Sequence, residues 1–211
     1  HISLKYGAFW FMDKNLFSNE AIFQKCQSHI QEELKRTKEE FILEHYKKYS
    51  DPDMPPVWKT LEVITFGTLS KLYCNIKDNS IKKKIAKEFY LPQHIILENW
   101  IKCAVVLRNY LAHHARLWNR NFPIIPQTSK PFRKKWLNHQ IPVTNKLYPH
   151  LCSLQYFLNS IKEDNFFKER LKVLIANHPN VDIAAMGFPA DWEKEPLWEG
   201  RANGLVLLSP L

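Results

Sequence analysis

Glycine is scarce in this chain. Only 5 of its 211 residues are Gly, against a usual share of about 7%. That scarcity argues against sheets built on many tight turns and against the glycine-rich phosphate loops of nucleotide-binding folds. The 13 prolines constrain the rest. They cut the chain into long proline-free blocks, and helices must fit inside those blocks or start at a proline. With 45% hydrophobic residues the chain can bury a proper core, which excludes intrinsic disorder. The expected fold class is all-α.

Helical spacing places the elements. Gly7 serves as the stop of an opening helix. Ala21, Ile22, Cys26, Ile30 and Leu34 recur at helical spacing behind a cap at Ser18 or Asn19. Thr37-Lys38-Glu39-Glu40 reads as a capping box opening a helix over 38–49, with Phe41, Ile42, His45 and Tyr49 on one side. After the rigid turn at 51–56, a helix starts near Val57 or Trp58 and passes Leu61, Glu62 and Thr65, with Gly67 allowing a bend. Asn79 is the expected cap of a basic helix, Lys82 to Phe89. Pro92 suits the first position of the longest helix, Gln93 to about Trp118. A long proline-rich loop follows from Phe122 to Pro149, packed down by Ile124, Ile125, Phe132 and Trp136. Leu151–Glu163 and Phe166–Asn177 are two further helices, and Asn180 caps a short last one ending at Gly187.

The chain opens His1-Ile2-Ser3-Leu4 without a methionine, which reads as a fragment cut at its N-terminal side. The stretch from Gly200 to Leu208 differs in composition from the rest and is assigned no function. The expected organisation is a helical domain over 1–190 and an irregular tail over 191–211. Four widely separated cysteines, at 26, 74, 103 and 152, form no zinc or redox pair and read as buried, reduced thiols. No apolar run is long enough to span a bilayer and no secretory signal is visible, so a cytoplasmic protein without a membrane partner is expected. The formal net charge of +9 favours an anionic partner, although solvated lysines alone can produce it.

Chemistry concentrates in Arg108-Asn109-Tyr110-Leu111-Ala112-His113-His114-Ala115-Arg116-Leu117-Trp118-Asn119-Arg120. If this segment is helical, residues 109, 113, 116 and 120 share one face, with Arg108 beside it. Leu107, Leu111, His114 and Trp118 then form a neighbouring stripe suited to packing. An imidazole can move protons near neutral pH, and a guanidinium can hold two phosphoryl oxygens and the charge that grows on them. These are the parts for metal-independent RNA cleavage, with the 2′-hydroxyl as nucleophile. Blander readings exist for each. Arg108 and His113 can pair with a carboxylate, Glu62 or Glu98, and His114 can be a packed residue. Trp58 and Trp118 can belong to the core, and Lys82-Lys83-Lys84 and Arg133-Lys134-Lys135 can be solvated faces.

Residues 108–120 resemble the RN-x-x-AHH-x-RLWNR signature of the Abi family of abortive infection proteins (AbiD/AbiF-like). Pro56 to Ser70 resembles that family's PxWxxxExxxFGxLS element, and Phe41 to Tyr46 with Tyr49 resembles a third stretch. Order and spacing agree over about residues 1 to 160. The resemblance implies a HEPN-like helical bundle whose R-x4–6-H motif is filled by Arg108 and His113. It also implies an anti-phage, RNA-cleaving toxin, restrained in some members by a small RNA antitoxin, with a homodimer building a composite site. The family's N-terminal region, with its NYYRLSGY-like element, lies outside this sequence. The assignment is then His113 as general base or acid and Arg108 as phosphate and transition-state stabiliser, with Asn109 and His114 orienting them. Arg116, Asn119 and Arg120 extend the RNA-contacting face. No cofactor or metal is expected. The alternatives are a non-catalytic RNA-binding regulator or a helical protein-interaction domain using the same basic face.

Overall fold

The computed structural model describes residues 1–129, 131–139 and 144–199. Among these there are nine α-helices and no β-strand, as the glycine and proline pattern leads one to expect. They are α1 (Ile2–Tyr6), α2 (Glu20–Arg36), α3 (Glu40–Lys48), α4 (Val57–Val63), α5 (Phe66–Asn75), α6 (Asn79–Glu88), α7 (His94–Ala112), α8 (Leu147–Ile161) and α9 (Phe167–Ala176). Helix α7 is the centre of the bundle and packs on α5, α6 and α8. Helix α2 lies across α5 and α4, and α9 packs on α8. No described helix is long and apolar enough to cross a membrane. The four cysteines are free thiols, three of them buried. Desolvation pushes the Cys103 thiol up to about 12.

Several ends follow the sequence. Asn19 Oδ1 accepts the Ile22 amide at 2.9 Å and starts α2, and Gly7 at φ 84° ends α1. Others correct it. Thr37 Oγ1 meets the Glu39 amide at 3.3 Å, so the capping box does not form and α3 starts at Glu40. The helix expected to bend at Gly67 is broken earlier. Thr65 Oγ1 takes the Thr68 amide at 3.1 Å, capping α5 and separating it from α4. Gly67 instead faces α7, where an added Cβ would lie 3.9 Å from Val105. Asp78, not Asn79, caps α6 through the Ser80 and Ile81 amides. Gln93, not Pro92, precedes the first residue of α7. Gly187 closes a single 3-10 turn, Ala184–Met186, that Asn180 does not cap.

The start of α7 anchors the long connection to α8. Trp100, fully buried, stacks on Trp136 and Phe132 and donates Nε1–H to Gln127 O at 2.7 Å. Asn99 takes the Gln127 amide at 2.8 Å and donates to Ile125 O at 3.1 Å. The loop's backbone groups thus find partners on the helix instead of being stranded over an apolar surface. Beyond α9, Trp192 and Trp198 are buried beside Tyr148 and Phe188, with Trp198 Nε1 donating to Tyr148 Oη at 3.2 Å. Residues 200–211 lie outside the described residues.

Candidate functional site

Helix α7 delivers the motif and then stops sooner than expected. Arg108 and Asn109 lie in its closing turns, both exposed, and the helix ends at Ala112 with His113 as its cap. The His114 amide donates to Leu111 O (3.0 Å) and the Ala115 amide to Tyr110 O (2.8 Å), the paired bonds of a Schellman stop. Its left-handed position, usually glycine, is held by His114 at φ 50°. A residue with a Cβ costs roughly 1–2 kcal/mol there. Residues 109, 113, 116 and 120 therefore do not form one helical face.

The chain beyond the stop folds back on the helix. Leu117 is half-buried in the core, and the Arg120 amide donates to Leu117 O at 3.3 Å, closing a turn with Asn119 at φ 46°. Asn119 Oδ1 accepts from Lys146 Nζ at 3.1 Å. The Arg120 guanidinium lies over the Tyr110 ring at 4.2 Å, and Tyr110 meets the edge of Phe122, which tilts against buried His150. Arg120 thus returns to the end of α7 through tertiary packing instead of helical register.

Arg108 and His113 are both exposed, and among the described residues neither side chain has a hydrogen-bond or ion-pair partner. Neither Glu62 nor Glu98 pairs with them among the described residues. Glu98 is held by the buried Lys82 ammonium at 3.1 Å, which also donates to Cys74 O at 2.9 Å. Glu62 is exposed and forms no ion pair among the described residues. The stripe expected to pack is corrected: Leu107 is buried, but Leu111, His114 and Trp118 are exposed. Trp58 is exposed as well, at 59%. Lys134 and Lys135 are used by the fold, the first donating to Asn159 O at 2.9 Å and the second pairing with Glu199 at 3.1 Å.

Charge patterning marks the same region more broadly. No Asp or Glu occurs between Glu98 and Glu163, while ten Lys and Arg do. Outside that stretch 20 basic residues face 21 acidic ones, so the chain's positive surplus resides in α7, the loop and α8. This adds Lys146, tied to Asn119, to the cations near the motif. The motif alone does not reveal it; the gap in acidic residues does. Beside Arg108 runs an apolar groove of about 480 Å³ between α5, α7 and α8, floored by Leu107, Leu154 and Phe157. Arg108 and Leu111 line its edge, whereas His113 does not. Among the described residues no three His, Cys, Asp or Glu side chains gather as metal ligands.

The family model for Abi-like proteins matches residues 1–119, from the first helix through the Schellman stop and into the turn at Asn119. No curated protein and no solved structure matches the chain. The match covers more than half of the sequence and takes in the three resembling blocks up to Asn119, so the chain belongs to the Abi-like, abortive-infection protein family.

Proposed function

We propose that the protein is a metal-independent endoribonuclease toxin of an anti-phage system, acting as a homodimer whose Arg108 and His113 side chains build a composite site. The observation that carries this reading is the unpartnered exposure of both side chains within the acid-free stretch. A guanidinium and an imidazole left idle by the fold, with Arg116, Arg120 and Lys146 close by in the chain's basic stretch, suit a phosphodiester better than a structural role. His113 takes the 2′-hydroxyl proton and the freed oxygen attacks the adjacent phosphorus. The bond to the 5′-oxygen breaks, that oxygen leaves with a proton returned by the imidazolium, and a 2′,3′-cyclic phosphate remains. Arg108 stabilises the charge that grows on the phosphoryl oxygens, and Asn109 and His114 orient the pair.

The full-length protein incubated with cellular RNA in EDTA should give fragments ending in cyclic phosphate, and His113→Ala should abolish them. Cleavage that survives His113→Ala overturns the assignment. A second reading, a protein-interaction domain, has the apolar groove beside Arg108 in its favour. It predicts no cleavage at all, and loss of a partner when Leu154 or Leu111 is replaced by a charged residue.

A further inference from the structure

We infer that Trp118 is a base-stacking platform, seating one nucleotide of single-stranded RNA next to the Arg108/His113 motif. The inference rests on the RNA-facing reading of that motif and adds to it a group that selects unpaired strands. Trp118 occupies a corner of the turn closed by Arg120 and Leu117, between half-buried Leu117 and left-handed Asn119. The turn leaves the indole 42% exposed while its neighbour Leu117 goes into the core. A large aromatic side chain at such a corner gives up the burial it would normally gain.

The surroundings define the ligand. The Arg116 guanidinium stands over the indole at 5.8 Å, so a base on the ring would complete a cation–aromatic–base sandwich. Arg120 and Lys146 flank the same turn, Lys146 through Asn119 at 3.1 Å. No carboxylate belongs to this part of the chain to repel a phosphate. An exposed aromatic set among cations is the chemistry of a single strand, whose unstacked bases can reach a ring that duplex bases cannot. His113 lies five residues before Trp118, in the same loop.

The test uses the full-length protein carrying His113→Ala, which stops cleavage, and labelled 12-nucleotide oligouridylate and oligoadenylate as probes. Trp118→Ala should weaken binding by about tenfold or more, and Trp118→Phe should recover most of it. An abasic site moved along the probe should weaken binding strongly at one position, and that loss should vanish in the Trp118→Ala background. A blunt RNA duplex should be indifferent to both substitutions. Trp118→Phe keeps an aromatic ring, and it should retain the position-specific abasic loss, so the test survives even if Trp118→Ala perturbs folding. Binding that ignores Trp118, or equal losses at every abasic position, overturns this inference alone. No binding of any RNA by the His113→Ala parent overturns the nuclease reading along with it.

Discussion

The two ends of α7 share one helix and treat polar side chains in opposite ways. Near its start the fold absorbs three consecutive polar groups: Glu98 into the Lys82 ammonium, Asn99 into the loop backbone, the Trp100 Nε1–H into Gln127 O. At its end Arg108 and His113 are left without hydrogen-bond or ion-pair partners among the described residues, and the chain turns away at a strained His114. The first end shows what a helix does with charge when stability is the outcome. The second departs from that rule at the residues proposed to carry the chemistry, and local departures of this kind cluster at functional sites.

The contrast is sharpest where one substitution harms folding and another harms activity. Trp100→Ala should cost about 3–5 kcal/mol by urea denaturation. His113→Ala should stay within about 0.5 kcal/mol of the parent while lowering RNA cleavage by roughly 100-fold or more. Equal destabilisation by both would erase the distinction between the two ends. Lys82→Met leaves the Glu98 carboxylate largely buried and alone, and should cost about 3 kcal/mol. Adding Glu98→Leu should restore most of the loss; no restoration would mean that the pair does not act as a unit.

A third probe lies outside α7, at the junction of α1 and α6. The Asp78 carboxyl is held well below the usual carboxylate range, first by Lys5 Nζ at 2.7 Å and then by Ser80 Oγ. The unfolded chain binds that proton more tightly, so the stabilisation is complete above the ordinary value of about 4 and fades as pH falls below it. A melting-temperature profile against pH should flatten in Asp78→Asn. The smallest effect belongs to the Schellman stop. His114→Gly should stabilise the fold by roughly 0.5–1 kcal/mol by relieving the left-handed residue, and a loss of stability would show that the imidazole has a structural partner.

Much of the fold is legible in the sequence where a side chain acts on its immediate neighbours. Asn19, Gly7 and Gly187 stop or start elements within a residue or two of where their chemistry demands. The helix overrun to Trp118 has a clear cause. Residues 111–118 contain no glycine or proline, and Leu, Ala and Arg among them favour helix. What ends α7 is tertiary: Leu117 seeks the core and Arg120 seeks Tyr110, and His114 bears the strain. The candidate site was half legible. Arg108 and His113 stand out as a motif, but the exposure of Trp118 is set by a turn that no local propensity announces. A tryptophan read by residue type alone belongs inside.

The acid-free stretch has a consequence for the moment before contact. Glu195 takes the Asn138 amide and the His139 imidazole, and Glu199 takes Lys135, so carboxylates from beyond α9 meet the far side of the loop. At the end of α7, Arg108 and Arg116 form no ion pair among the described residues, in a stretch of chain that has no carboxylate of its own. A polyanion diffusing nearby will feel the summed positive potential of that stretch before it feels any single guanidinium. Added salt should therefore slow the encounter more than it loosens the bound state.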